Sequence, residues 1–251
     1  MTATKRIKII FPVPLADNTR ELVETQIPKA LIDDRFSIEF VGSGEIVSMA
    51  DSYYDMQLME MAVIEAGIRS EAEGFDAVCI NTMSDSGLYA LRSRLSIPVL
   101  SAGESALYLA SMLGQKFSIV TMWKKWFPLY RKTIKEYGLE HKLASVRSIE
   151  VRPDTQELLQ GKEDIVFDKL LTQAKIAIEQ DGADVIVLGS TTMHQSYNFL
   201  KDNLSIPVIN PGQVAYKFSE LFINLGLAQS KLAYPDPENL MGDSTFAKLG
   251  I

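Results

Sequence analysis

Two stretches of the chain repeat one another. "EGFDAVCINTMSDSGLYALRSRLSIPVLSAGESALY" begins at Glu73 and "DGADVIVLGSTTMHQSYNFLKDNLSIPVINPGQVAY" begins at Asp181. Both run through a Gly-x-Asp start, an apolar strand, a cluster of small hydroxyl residues, a helix, the pentapeptide "LSIPV" and a Gly five residues after the Pro. Thr82 and Ser190 hold equivalent places. Strand-helix-strand units share apolar positions whatever their origin, but the common pentapeptide and the hydroxyl clusters go beyond that. Two similar halves imply a pseudo-symmetric α/β protein of two lobes, each a parallel sheet flanked by helices. Equivalent strand ends are then expected to face one another across a cleft, as two walls of one site.

The remaining chain alternates in the same manner. "RIKIIFPVP" carries Ile7, Ile9, Ile10 and Phe11 in a near-continuous apolar run, as in strands buried on both faces of a parallel sheet, and Pro12 and Pro14 end it. Asp17 or Asn18 can cap a following helix that Pro28 interrupts. "FSIEFVG" reads as the second strand, a helix is expected from about Tyr53 to Glu73, and "DAVCIN" is the third strand. Helix Leu88–Leu95, strand "IPVLS", helix Glu104–Leu113, strand "FSIVTM", a loop bearing Trp123 and Trp126, and helix Leu129–Tyr137 continue the series. Further on come a helix from about Glu163 to Gln180, strand "DVIVLG", helix Ser196–Asn203, strand "IPVIN" and helix Val214–Leu225. The weakly periodic tail is expected to pack on the outside.

Composition excludes several functions. A net charge of −7 offers no basic field for a phosphate backbone, so nucleic acid is not an expected partner. The first apolar run, Ile7 to Val13, is too short for a signal peptide or a membrane span, and a cytoplasmic protein that binds no membrane is expected. The single Cys79 precludes an internal disulfide. With only His141 and His194, a His-rich metal site is not expected, and any metal would have to sit on carboxylates.

Open α/β sheets bind ligands beyond the carboxyl ends of their strands, where backbone N–H groups that begin the next helix point outward. "TMSDSG" and "STTMHQ" both stand there. Small hydroxyl residues let a ligand carboxylate approach the backbone and add O–H donors. Plain N-capping by Ser84, Asp85, Ser86, Thr192 or Ser196 is the competing explanation.

At these clusters, and over most of its length, the sequence resembles the aspartate/glutamate/hydantoin racemase superfamily. The likeness is carried by the first strand with its Asn/Thr loop, "SxxDSYYD", "LGQKFSIVTMW" after "IPVLSAGESALY", "EYGL", and "VIVLGSTTM" followed by "IPVINPG". It implies two lobes, residues 1–99 plus 209–251 and residues 100–208, with "IPVIN" and its helix returning to complete the N-terminal sheet. It also implies a homo-oligomer and cofactor-independent chemistry at a carbon next to a carboxylate or carbonyl. Typical members hold a cysteine at the end of each repeat strand, one acting as base and the other as acid. Here those positions are Thr82 and Ser190, and both thiols are absent.

A thiol of pKa about 8.5 can be tuned into a base near neutrality, whereas an alkanol lies far higher and needs a dedicated partner. Conventional two-thiol racemisation is therefore not supported. Cys79 lies inside a strand, where an inert buried thiol is expected. The groups left to move a proton are His194, the only imidazole near the proposed site, and Asp85, three residues after Thr82. Each has an ordinary structural alternative, a packed His or an N-cap. Ser84, Thr121, Thr191 and Asn18 are candidate substrate-binding residues; Thr121 matches a family position that helps bind the carboxylate. Trp123 is a candidate apolar wall, with helix packing as the alternative. Three functions stay open: an isomerase or racemase-like enzyme acting on a small carboxylate or cyclic amide, a lyase or hydrolase on the same substrates, and a binder that has lost the chemistry.

Overall fold

A computed structural model of the chain describes residues 4–15, 17–44, 49–153, 163–239 and 246. The chain folds as two compact units, residues 1–101 with 215–251, and residues 102–214. The first unit carries β1 (Lys5–Phe11), α1 (Asp17–Glu24), β2 (Phe36–Gly42), α2 (Tyr53–Gly67), β3 (Ala77–Ile80), α3 (Leu88–Arg94) and β4 (Val99–Ser101). The second carries α4 (Ala102–Leu113), β5 (Phe117–Thr121), α5 (Phe127–Glu136), β6 (Leu143–Ser148), α6 (Glu163–Asp181), β7 (Val185–Leu188), α7 (Ser196–Asn203) and β8 (Val208–Ile209). A final helix, α8 (Pro211–Leu225), starts in the second unit and continues in the first.

Each unit has a four-stranded sheet, and the two orders match: β2-β1-β3-β4 and β6-β5-β7-β8. All pairs are parallel. Strands β3, β5 and β7 are buried throughout, which is why they read as continuous apolar runs. Lys8, the charged residue of the β1 run, is buried too, with its ammonium paired to Glu73. In the second unit Val120, Met122, Leu170, Ala174, Ala177 and Leu200 belong to one buried cluster.

The repeated sequence features each close a hydrogen bond. Gly74 and Gly182 sit at φ of 80° and 75°, a left-handed turn that favours glycine, and aim the chain into the central strand. Two residues later Asp76 N–H donates to Arg6 O at 2.8 Å while its carboxylate accepts from Arg6 N–H at 2.8 Å. Asp184 does the same with Lys116, at 2.8 and 3.0 Å. The proline of "LSIPV" lends its carbonyl to the neighbouring strand: Val78 N–H to Pro98 O and Ile186 N–H to Pro207 O, both 2.9 Å.

Several expectations need correction. Strand "IPVIN" does not complete the N-terminal sheet: β8 pairs with β7 as β4 pairs with β3, and only the helix after it, α8, joins the first unit. Position in the repeat decides this, because Pro207 must bond its own unit's central strand. Helix α2 stops at Gly67, short of Glu73, and turns lead into Gly74. Strand β6 is not among the strands that the sequence pattern predicts; it is an edge strand with every residue half-buried, so its sequence lacks a continuous apolar run. The tail, over its described residues, packs along β4 and α3: the Gln229 side-chain amide exchanges hydrogen bonds with Val99 N–H and C=O at 2.9 and 3.0 Å, and Lys231 caps the Arg92 and Ser93 carbonyls at 3.0 Å. Among the described residues, no helix is long and apolar enough to cross a membrane.

Candidate functional site

Beyond the ends of β3 and β7 the two hydroxyl clusters adopt one motif. Thr82 Oγ1 lies 3.0 Å from Ser84 Oγ and accepts Ser84 N–H at 3.3 Å. Ser190 Oγ lies 2.8 Å from Thr192 Oγ1 and accepts Thr192 N–H at 3.3 Å. Each first hydroxyl thus ties down the backbone two residues on and shares a proton with the second. Accepting an N–H makes a hydroxyl a stronger donor, so each pair is primed to donate to an anionic oxygen. The first motif extends further, since Ser84 Oγ also lies 2.8 Å from Ser86 Oγ. Ser190 serves as an N-cap as well, so capping and binding are compatible here rather than exclusive.

The residue preceding each motif is anchored by a buried polar group from beyond the first strand of its own unit. In the first unit the Asn81 amide donates to Gln26 Oε1 at 2.8 Å. In the second, Tyr130 Oη donates to Gly189 O at 2.6 Å, and so must accept from Thr121 Oγ1, 2.8 Å away. Thr121 is fully buried. Its hydroxyl proton is committed to Tyr130, which corrects its reading as a carboxylate-binding group: it holds the strand end that carries Ser190. Burial pushes the Tyr130 phenol well above its ordinary value, so it remains a neutral donor.

Asp85 is 8% exposed and stands at φ 53°, a left-handed conformation that costs a residue with a side chain some strain. Its carboxylate accepts the Ser101 hydroxyl from the end of β4, and Ser101 Oγ is also 3.5 Å from Thr82 O. Asp85 is therefore one hydroxyl away from the first motif. His194 differs. It is 9% exposed, and burial pushes its pKa down to about 4, against the opposing effect of hydrogen bonds to the Thr191 and Thr192 backbone. Burial thus keeps the ring neutral, hydrogen-bonded to the backbone of its own turn.

Thr191, between the two hydroxyls of the second motif, is buried. Trp123 is half-buried just past Thr121; its ring meets Trp126 edge-on at 6.3 Å, with Lys125 Nζ at 4.9 Å and the Arg152 guanidinium at 5.9 Å from its centroid. The Asn18 side chain lies outside the described residues; its backbone belongs to α1. Burial raises the Cys79 thiol to about 12, partly offset by a hydrogen bond to Ser219, so it is no nucleophile. Among the described residues, no group of three or more His, Cys, Asp or Glu could hold a metal ion. Sequence reasoning missed Ser101, Gln26 and Tyr130 as supports. The repeat pairs Ser101 with Asn210, which could have drawn attention to that position; nothing local marks Gln26 or Tyr130.

Comparison with known proteins follows the same lines. The family model described as Asp/Glu/Hydantoin racemase matches residues 16–218, both motifs included. The chain belongs to this family. A hydantoin racemase from a Pseudomonas strain is 32% identical to it over 195 residues, 76% of this chain and 77% of that protein. The structure of allantoin racemase from Klebsiella pneumoniae superposes with a TM-score of 0.85 at 26% identity, covering 94% of this chain and 95% of that one. Arylmalonate decarboxylase, at 16% identity, TM-score 0.60 and 88% and 94% coverage, shares the fold. This family member is thus an enzyme of the isomerase and racemase type.

Proposed function

We propose that the chain is a cofactor-independent isomerase or racemase-like enzyme acting at a carbon next to a carbonyl or carboxylate of a small cyclic amide or acid, with hydantoin- and allantoin-like rings as first candidates. One observation carries this reading: the same two-hydroxyl motif recurs beyond the carboxyl ends of β3 and β7. Thr82 with Ser84, and Ser190 with Thr192, stabilise developing negative charge on oxygen, while alkanols cannot themselves accept a carbon-bound proton at neutrality. The names borne by the relatives supply the candidate rings. Proton transfer falls to Asp85 or His194, the two titratable side chains that accompany the motifs.

The test is proton exchange. The protein is incubated with hydantoins and allantoin in deuterated buffer, following loss of the ring C–H signal against a protein-free control. Thr82→Ala and Ser190→Ala should each lower kcat/KM about tenfold, the loss of one charge-assisted hydrogen bond. If both motifs serve one substrate, the double variant should fall short of the product of the two losses. Consumption of substrate without exchange would make the enzyme a lyase or hydrolase, and tight binding without either would make it a binder.

A further inference from the structure

The two sheets share their strand order but not the charge at their strand ends. In the second unit the backbone past β5 stays bonded on both sides: Gly189 N–H donates to Val120 O at 2.8 Å, and Val151 N–H donates to Met122 O at 2.9 Å. Ser190 after β7, Trp123 after β5 and Arg152 after β6 therefore stand at three neighbouring carboxyl ends of one parallel sheet. All three belong to the second unit, and none is fully buried. The exposed Arg152 guanidinium lies 5.9 Å from the Trp123 ring centroid, and the exposed Lys125 ammonium lies 4.9 Å from it. Among the described residues, no carboxylate stands within ion-pair distance of Arg152. Segments 122–126 and 149–153 hold Lys124, Lys125 and Arg152 against the one carboxylate of Glu150, in a chain whose net charge is −7. The corresponding ends in the first unit, Pro12, Val13 and Pro14 after β1 and Ser43 and Gly44 after β2, carry no charge. The shared scaffold therefore does not require cations there.

We infer that this cationic, aromatic end of the second unit is a subsite for an anionic arm, so that the preferred substrate carries a carboxylate beside its reacting ring. The inference rests on the proposed function above for the ring itself, held at Ser190 and Thr192. An aromatic face attracts a cation without using up its N–H donors, so Trp123 steadies Arg152 and leaves its fork able to grip a carboxylate through two parallel hydrogen bonds. Lys125 adds a second positive charge at the same ring. Neighbouring strands stand about 4.8 Å apart, which separates the ends of β7 and β6 by about 10 Å across β5. A five-membered ring with a short acidic arm, met by the length of an arginine side chain, spans that interval. An uncharged arm of the same size would leave the guanidinium without its counter-charge, and the difference between the two arms is the specificity.

Hydantoin-5-acetate and its neutral carboxamide, nearly equal in shape, separate charge from size. Trp123 and Trp126 are the only tryptophans of the chain, so their fluorescence reports binding at this end directly. The unaltered chain should bind the acid at least about tenfold more tightly than the amide, a preference that shrinks at about 0.5 M salt. Arg152→Gln should raise KM for the acid about tenfold and for the amide at most about twofold, with kcat for ring-proton exchange little changed; general loss of fold would not give that split. Equal affinity for acid and amide at low salt, or a preference that survives Arg152→Gln combined with Lys125→Gln, would overturn the inference and leave the proposed function standing. Salt-sensitive binding of the acid without exchange at the ring carbon would support the subsite and count against the proposed function instead. If neither compound binds or exchanges, both fail. The acid-to-amide ratio is measured on the unaltered chain, so it stands whether or not a variant folds.

Discussion

Residues 73–108 and 181–216 follow one plan and diverge in one place. Where they agree, the agreement is scaffold: the left-handed glycines, the aspartates that pin the central strands, the prolines that bond them, and the paired hydroxyls. Where they differ, the difference is chemical. The first half places a buried carboxylate beside its hydroxyls; the second places a neutral imidazole folded back onto its own backbone. A shared backbone frame therefore fixes where the paired hydroxyls stand, and the loop residues just after them decide which titratable group accompanies each pair.

The anchors differ as well, and this gives the largest expected effect. Gly189 occupies the place of Asn81, but a Cβ there would meet Thr121 Cβ at 2.5 Å and Tyr130 Oη at 2.9 Å. Gly189→Ala should cost about 3 kcal/mol or more in chemical denaturation, because both obstacles are packed in the core. A near-neutral result would show that the Tyr130 anchor gives way and that the two halves are more interchangeable than their packing indicates.

His194 sets the halves apart by pH. Unfolded, it titrates at its ordinary 6.5, and folded at about 4. Above 6.5 it is neutral in both states and contributes nothing to the pH dependence. Between those values the unfolded chain binds a proton that the folded chain refuses, so stability falls as pH drops from 6.5 toward 4. The full loss is about 3 kcal/mol, complete below the folded value. Denaturation midpoints should show this slope, and His194→Asn should flatten it. Ser86, at the matching position, adds no such limb.

Tyr130→Phe removes the phenol that bridges Thr121 and Gly189. About 1–3 kcal/mol of stability should go, since a buried hydroxyl and a carbonyl lose their partner. Gln26→Leu is the matching change in the first half and should cost a similar amount; a large disparity would show that one motif is held much more firmly than the other. Smallest of all, Cys79→Val installs the residue that the other half carries at Val187. It should cost less than about 1 kcal/mol of stability and leave turnover intact, as a buried thiol raised to about 12 has no part in the reaction.

Periodicity and repetition determined much by themselves. The strand and helix order, the equivalence of Thr82 and Ser190, the placing of both clusters at strand ends, and the loss of both family thiols all follow from residue identities close together in the chain. Such features are legible because each depends on local spacing: apolar runs, turn glycines, and hydroxyls that bond two residues away. What only the tertiary structure decided depends on partners distant in sequence. Strand β6 has no apolar signature because the fold leaves every one of its residues half-buried, whereas the equally terminal strands β4 and β8 are covered. The sheet that takes "IPVIN" is chosen by the Pro207 carbonyl and Ile186. Thr121 turned from ligand-binding candidate to anchor because its hydroxyl bonds Tyr130, and the His194 pKa is lowered because burial disfavours its charged form. Burial and hydrogen-bond partnership across the chain set the protonation state and the direction of a side chain, and no local pattern encodes either.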